Sequence, residues 1–275
     1  MRWWLAAAIA GLAFVSRCSC GGRSDAPVRI VTFNIEHFPQ DLRQVDGAFE
    51  QIVAARANLV AAEEITDPAL FGAEARRRLG TSWKFVFDQQ RIDRHHHIGV
   101  LFDRDAWELK STTEHPGTNL GPRDHNIFEV RIAPKDGGSI VRVLVIHFRP
   151  GTAGRPIRAR QFEALSRVAA AAKRSGDRIV VLGDFNATED DDREDLAALA
   201  RRADLRWATS GLACTAFWKR IDGCPRSRLD HVLTSEPPRR AVAAGACATE
   251  GCDWQKSCPL YVDEVSDHCP VIVDF

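Results

Sequence analysis

The sequence predicts an α/β fold in which two mixed β-sheets pack face to face and helices cover their outer surfaces. Three observations carry this expectation. Short β-branched runs with period two recur along the chain, a few segments of helical spacing interrupt them, and no repeat or low-complexity linker divides the series. At 275 residues the chain can bury a sizeable core. Its 45% hydrophobic and 27% charged composition excludes disorder, collagen and coiled coil. One domain is expected, over residues 28–275.

The elements follow in order. Val28–Ile35 alternates as a strand. Asp41–Arg56 places Leu42, Val45, Phe49, Ile52 and Val53 on one helical face. Asn58–Ile65 is the next strand, and Asp67-Pro68 opens a helix that runs to about Leu79, with a capping side chain before a proline tolerated in the first turn. Trp83–Phe87, His97–Phe102, Trp107–Thr112, Ile127–Ile132 and Ile140–Phe148 read as successive strands, with Gly137-Gly138 turning the last pair into a hairpin. Ile157–Lys173 is an amphipathic helix stopped by Ser175-Gly176. A strand at Arg178–Gly183, a helix at Arg193–Arg202 and strands at Leu229–Thr234 and Pro270–Phe275 complete the series.

Residues 1–22 read as an export signal: Met1-Arg2, an apolar run from Trp3 to Val15, then small residues. Cys18 and Cys20 leave a lipid-anchored form of that signal open. Beyond the N-terminus no apolar run is long enough to span a bilayer. The remaining cysteines, Cys214, Cys224, Cys247, Cys252, Cys258 and Cys269, all lie in the last quarter of the chain. An even set behind an export signal predicts disulfides, with the pairing undetermined. No C-x-x-C pair supports a zinc finger. Lys+Arg and Asp+Glu both total 37, which excludes binding nucleic acid by bulk positive charge and leaves a local basic groove open.

Polar residues at strand ends set the sequence apart. Asn34 lies in TFNIEHF, Glu63-Glu64 in LVAAEEI, and His147 in VLVIHF. Asp184 and Asn186 lie in IVVLGDFNA, Asp230-His231 in RLDHVLTS, and Asp267-His268 in VSDHCPV. Each has an ordinary use as a cap, turn or edge residue. Together they form a pattern that burial alone would fill with Val or Leu. Carboxylates with an Asn amide suit Mg2+, Mn2+ or Ca2+ rather than zinc. A hydrogen-bonded Asp–His pair supplies a fixed tautomer and a stabilised imidazolium. Phosphodiester hydrolysis needs both.

The series TFNIEHF, AAEEI, IGVLFD, VIHF, GDFNA, RLDHVLTS and SDHCPV resembles the endonuclease/exonuclease/phosphatase superfamily, with its deoxyribonuclease-I-like fold. The motifs occur in the family's order from residue 28 to the C-terminus. The resemblance implies a four-layer α/β sandwich with the site at one end of the packed sheets. It implies Glu64 as main metal ligand, with Asn34 beside it and Asp267 on the metal side. Asp184 is implied to align and activate water, Asn186 to bond the scissile phosphate or hold a second metal, and His268 to stabilise the transition state. Asp230 is implied to orient His268, and His147 to assist the leaving oxygen. Glu63 stands where the family has Gln, and HFRPG replaces the family's HLKSG. Arg123 and Arg149 are candidate phosphate contacts.

Other features carry weaker expectations. Arg149, Arg155, Arg158 and Arg160 form the densest basic run, which suits either a phosphate backbone or a solvated helix face. His95-His96-His97, at a strand start, should point alternately to opposite faces and serve the surface or strand entry. His37, near Asn34, is open to lining the cleft but is expected to be structural; Asp190–Asp192 is expected to be a solvated loop rather than a Ca2+ site, and Phe217-Trp218 to pack beneath the loop rather than stack on a base. The leading expectation is an exported, monomeric, Mg2+-dependent phosphodiesterase that cuts nucleic acid, with no stable protein partner. A sphingomyelinase-like or inositol-phosphate phosphatase is the alternative, followed by a non-catalytic binding protein.

Overall fold

The computed structural model describes residues 28–89, 96–121, 124–219, 221–253 and 256–275. The export segment with Cys18 and Cys20, together with His95 and Arg123, lies outside the described residues. In chain order the elements are β1 (Arg29–Phe38), α1 (Leu42–Ala55), β2 (Leu59–Ile65), α2 (Pro68–Leu79), β3 (Trp83–Phe87), β4 (His97–Asp103), β5 (Trp107–His115), β6 (Ile127–Pro134) and β7 (Val141–His147). They continue with α3 (Arg155–Lys173), β8 (Arg178–Asp184), α4 (Asp190–Arg202), β9 (Arg206–Trp207), β10 (Ala216–Phe217), β11 (Arg226–Ser227), β12 (Asp230–Thr234) and β13 (Arg240–Ala243). Two short helices, α5 (Ala246–Thr249) and α6 (Leu260–Glu264), precede β14 (Val271–Asp274).

Two six-stranded mixed sheets result, ordered β13-β14-β1-β2-β4-β3 and β5-β6-β7-β8-β12-β9. Strand periodicity explains the layers. Ile30, Leu59, Ala61, Val143, Val145, Val180, Leu182, Val232 and Val271 face inward and form the core between the sheets. The alternate residues face outward. Val31, Phe33 and Val60 meet Phe49 of α1 and Phe71 of α2, while Leu144, Ile146 and Val181 meet Phe162 and Leu165 of α3 and Leu199 of α4. Helix, sheet, sheet and helix make the expected four-layer sandwich.

Capping sets the helix starts. Asp41 accepts from the Gln44 backbone N–H at 2.9 Å, and Asp67 accepts from that of Leu70 at 2.9 Å. Helix α4 starts three residues earlier than the sequence predicts. Asp190, Asp191 and Asp192 form its first turn and Glu189 and Asp192 close a capping box, because carboxylates there satisfy free N–H groups and the helix dipole. They are not a solvated loop.

The segment after β9 has little regular structure and is stapled instead. Disulfides join Cys214 to Cys252, Cys224 to Cys258 and Cys247 to Cys269. Around them Phe217, Ala246 and Val262 form a small separate core. Phe217 is buried there with the Arg226 guanidinium 4.8 Å from its ring centre, as its expected packing role requires. Three such bonds mark a chain that matures outside a reducing cytoplasm. Among the described residues no helix is long and apolar enough to cross a membrane.

Candidate active site

Register brings the strand-end residues together. On β7, β8 and β12 the inward rows run Val143–Val145–His147, Val180–Leu182–Asp184 and Val232–Asp230. His147 pairs laterally with Asp184, and Asp184 pairs with Asp230, so the three stand in one row across the sheet. On the facing sheet Thr32–Asn34 continues the inward row of β1, and Asn34 pairs with Glu63. Each of these polar residues thus stands at the cleft end of an inward row whose other members lie mainly in the core. Gly183, beside Asp184, has φ of 137°, and a Cβ there would sit 1.9 Å from the Ile146 carbonyl oxygen, so only glycine lets β7 and β8 approach at this point.

Glu64 breaks that pattern. Alternation assigns it to the helix-facing side of β2, opposite to Glu63. Its φ of +60° and the register shift between Ala62 and Ile65 turn it back into the cleft, as a bulge does. Both glutamates therefore serve the site region, in different states. Glu63 is fully buried, its Oε1 accepts from Thr32 Oγ1 at 2.8 Å, and burial holds its carboxyl well above the usual range. A neutral Glu63 presents the shape and charge of the Gln that the family carries there. Glu64 is opposite in character. Burial pushes its pKa up, but His147, His96 and His37 outweigh that and bring it to about 2.

Asp184 is the hub. Its Oδ1 accepts from the Asn186 backbone N–H at 2.7 Å, and its Oδ2 accepts from Asn186 Nδ2 at 3.0 Å and Asn34 Nδ2 at 3.3 Å. His147 Nε2 lies 3.6 Å from Oδ2 and His268 Nε2 lies 3.8 Å from it. Burial, above all, raises the Asp184 pKa to about 7. His268 Nδ1 is 2.9 Å from Asp230 Oδ2. Burial disfavours its charge, yet Asp230 and Asp184 hold its pKa well above the ordinary histidine value. His147, buried with no such partner at Nδ1, falls to about 3 and is neutral.

The backbone around His268 is fixed from several sides. Ser266 Oγ donates to the Asn34 carbonyl at 2.7 Å and accepts from the His268 N–H at 3.0 Å. Tyr261 donates its hydroxyl to the His268 carbonyl at 3.0 Å, and Cys269 follows in a disulfide. Thr215 Oγ1 accepts from the Leu229 and Asp230 N–H groups, which pins the start of β12.

Other predicted residues fall differently. Asn34 Oδ1 accepts from the Glu36 N–H at 3.1 Å while its Nδ2 faces Glu64 and Asp184. Its Nδ2 thus bridges the two carboxylates, while its Oδ1 accepts one hydrogen bond. Asp267 sits at the rim with Oδ1 3.9 Å from His268 Nε2, outside both groups of residues close enough to share an ion. Burial raises its pKa to about 6.

Three arginines of the basic run pair with carboxylates of the chain. Arg149 pairs with the buried Asp124 at 2.7 Å. Arg158 is fully buried, binds Asp192 at 2.6 Å and donates to the carbonyls of Arg149 and Gly151. Arg155 pairs with Asp195 at 2.8 Å. A charged side chain removed from water needs such partners, so three of the four arginines are committed to the chain's own carboxylates.

Sequence reasoning gave His37 and His96 mainly structural or surface roles and passed over His125. His37 Nδ1 lies 2.6 Å from His96 Nε2 and 3.4 Å from Glu64 Oε2. His125 stacks on His147 with ring centres 5.6 Å apart and is held by Asp88 at 3.0 Å. His96 and His97 do point apart, but His96 enters the cleft and His97 joins Asp88 at 3.0 Å, not the surface. The pairing of β4 with β2 sets His97 opposite Ile65 and so brings His96 beside Glu64, which no local sequence signal shows.

The family's divalent cation can be tested against these donors. Glu64 is ionised, borders the cleft and groups with His37 and His96, all three offering atoms within 4.8 Å of one another. The residues fit a divalent ion at Glu64. The other group, Asp184, Asp230 and His268, is already joined by a proton-bearing imidazole.

Solved structures share the fold. The human Nocturnin catalytic domain with bound sulfate anion is 16% identical, with 90% of this chain and 93% of that chain covered and a TM-score of 0.68. D. rerio TDP2 complexed with single strand DNA product is 13% identical, over 91% and 99%, with a TM-score of 0.68. An endonuclease/exonuclease/phosphatase from Bacteroides vulgatus is 16% identical, over 91% and 98%, again with 0.68. No curated protein matches the chain by sequence. The family model described as Endonuclease/Exonuclease/phosphatase family matches residues 31–268, a span that holds every residue placed in the cleft, and the chain belongs to that family.

Proposed function

We propose that this phosphate-ester hydrolase is an exported, metal-dependent phosphodiesterase that cuts nucleic acid. The observation that carries the reading is the lateral row His147–Asp184–Asp230, with His268 held between the two carboxylates and Glu64 facing them. It is an arrangement for displacement at phosphorus. A divalent cation held by Glu64 supplies positive charge for the phosphoryl oxygens.

The chain's own groups do the rest. Asp184, with a pKa of about 7, accepts the proton of an attacking water near neutral pH. Asn186 and Asn34 fix that carboxylate with three hydrogen bonds. His268, charged and aimed by Asp230, stabilises negative charge on the phosphoryl group as it develops. His147, neutral, donates a hydrogen bond from Nε2 rather than a full proton. Support for nucleic acid is the retained His147 and the fold shared with TDP2, whose structure holds a single strand DNA product. Export is supported by the N-terminal apolar segment and the disulfides.

The test offers the mature protein circular plasmid DNA, RNA, bis-nitrophenyl phosphate and sphingomyelin, with divalent metal and with EDTA. Metal-dependent nicking of the plasmid or cleavage of RNA is expected. Cleavage of sphingomyelin or a phosphomonoester alone overturns the substrate, and silence on all overturns the catalytic reading.

A further inference from the structure

We propose that His37 and His96 complete, with Glu64, a nitrogen-containing site for a first-row transition-metal ion of the Zn2+ class. The sequence pattern, built from oxygen donors, favoured Mg2+, Mn2+ or Ca2+ over zinc. The folded chain adds two imidazoles to the same carboxylate, and imidazole donors select Zn2+ and its neighbours over Mg2+.

Three separate segments deliver the donors. His37 comes from the end of β1, Glu64 from the end of β2, and His96 from the residue before β4, with ligand atoms mutually within 4.8 Å. His37 Nδ1 is 3.4 Å from Glu64 Oε2, and His96 Nδ1 is 4.0 Å from the same oxygen. Two histidines and one carboxylate with open positions form a recurrent donor set for zinc and for non-haem iron. The site is reachable: the His37 side chain is 39% exposed, while His96 and Glu64 are 10% and 16% exposed and so held by packing.

The two rings give a second, independent pointer. His37 Nδ1 and His96 Nε2 stand 2.6 Å apart, a separation that needs a proton shared between two basic nitrogens. Both nitrogens face one point, and an ion bonded to each at about 2.1 Å in tetrahedral geometry needs them about 3.4 Å apart, so the half-exposed His37 ring swings outward to admit it.

The backbone gives a third. Glu36, His37 and Glu64 all have positive φ, at 36°, 58° and 60°. A side chain bearing a Cβ pays about 1–3 kcal/mol in such a conformation, which persists where geometry serves a function. Here it re-aims His37 and Glu64 toward each other, and the His37 backbone N–H donates to Glu64 Oε2 at 3.2 Å.

The site shares Glu64 with the proposed hydrolytic centre and rests on that residue holding a cation. Its test reads binding, so the two readings fail separately. Untagged, metal-stripped protein is titrated with Co2+, followed by its visible d–d absorption, and then with Zn2+ in competition. Wild-type protein is expected to bind one equivalent of Co2+ with intense visible bands and to release it to Zn2+. H37A and H96A are each expected to weaken Zn2+ binding by about 10–100-fold. H37Q and H96Q, which keep a polar side chain, guard against a folding artefact: they are expected to melt like wild type and still lose the bands. Zn2+ affinity unchanged in the H37A/H96A double variant overturns the proposal, as does wild-type protein that binds Mg2+ more tightly than Zn2+. Zn2+ binding that depends on both histidines, in a protein that cleaves no phosphate ester, upholds this site and removes the hydrolytic reading.

Discussion

Asp184 and Asp230 stand directly opposite each other in the antiparallel register of β8 and β12, and His268 spans their carboxylates, 2.9 Å from Asp230 and 3.8 Å from Asp184. Two buried carboxylates this close repel unless a cation separates them. The imidazolium is that cation. One ring therefore bridges both carboxylates and leaves Nε2 facing the hub of the cleft.

The first prediction follows from that bridge. His268→Ala is expected to lower kcat by about 10^3-fold or more with folding intact, since a preorganised charge at the phosphoryl group is lost. Asp230→Asn keeps the shape and removes the orienting charge, and should cost about 10^2–10^4-fold. Single-turnover cleavage with circular dichroism of each variant checks both. Near-normal turnover by H268A would remove His268 from the mechanism.

The second concerns pH. Asp184 must be ionised to take a proton from water, so kcat/KM is expected to rise as pH passes through about 7. Stability moves the other way. A carboxyl whose pKa is raised in the fold favours the neutral form, so its contribution is complete below the ordinary value of 3.8 and lost as pH rises through about 7. The melting temperature of metal-free protein should fall over that window, and Asp184→Asn should flatten the fall while abolishing activity. A fall of equal depth in D184N would refute it.

The third separates adjacent glutamates. Glu63 is neutral and bonded to Thr32, so Glu63→Gln should leave metal affinity and stability within about 0.5 kcal/mol of wild type. Glu64→Gln removes an ionised ligand and should reduce metal affinity by at least about 100-fold. Isothermal titration of both variants decides.

The fourth concerns the staple beside His268. Opening Cys247–Cys269 by paired Ser substitution should cost about 2–5 kcal/mol, and thiol reduction should lower both melting temperature and turnover by loosening the Asp230 and His268 segments. Unchanged melting and activity under reduction would show that the hydrogen bonds of Ser266 and Tyr261 suffice.

The fifth reassigns the basic run. Arg158→Ala leaves the buried Asp192 with only Arg155, at 3.4 Å, as counter-charge and should cost about 3 kcal/mol, read by urea denaturation. A phosphate-contacting arginine would instead raise KM with little change in stability.

Much of the fold was legible. Alternation in VRIVTF, LVAAE, VRVLVIH and IVVLGD set which residues face the inter-sheet core, and the helical spacing of Val45, Phe49 and Ile52 set what covers the first sheet. The same parity carried Asn34, His147, Asp184 and Asp230 to the inward side of their strand ends, because a polar residue closing an apolar row lies at the edge of the layer. The four-layer sandwich is confirmed. Helix α4 began early because propensity alone undervalues a run of aspartates at a helix dipole.

What the sequence by itself determined is periodicity, and with it the layers and the face on which each regular strand presents its last polar residue. Tertiary structure alone decided the rest. Glu64 reaches the cleft only through a bulge that reverses its parity. His96 meets His37 only because β4 pairs beside β2, which no local pattern encodes. Three disulfides were chosen from fifteen pairings by which loops the β12 and β14 ends bring together. Arg149 and Arg158 turned inward because buried Asp124 and Asp192 required counter-charges. Periodicity acts through neighbours along the chain, whereas bulges, strand order and buried ion pairs are settled by groups that meet only once the sheets have closed.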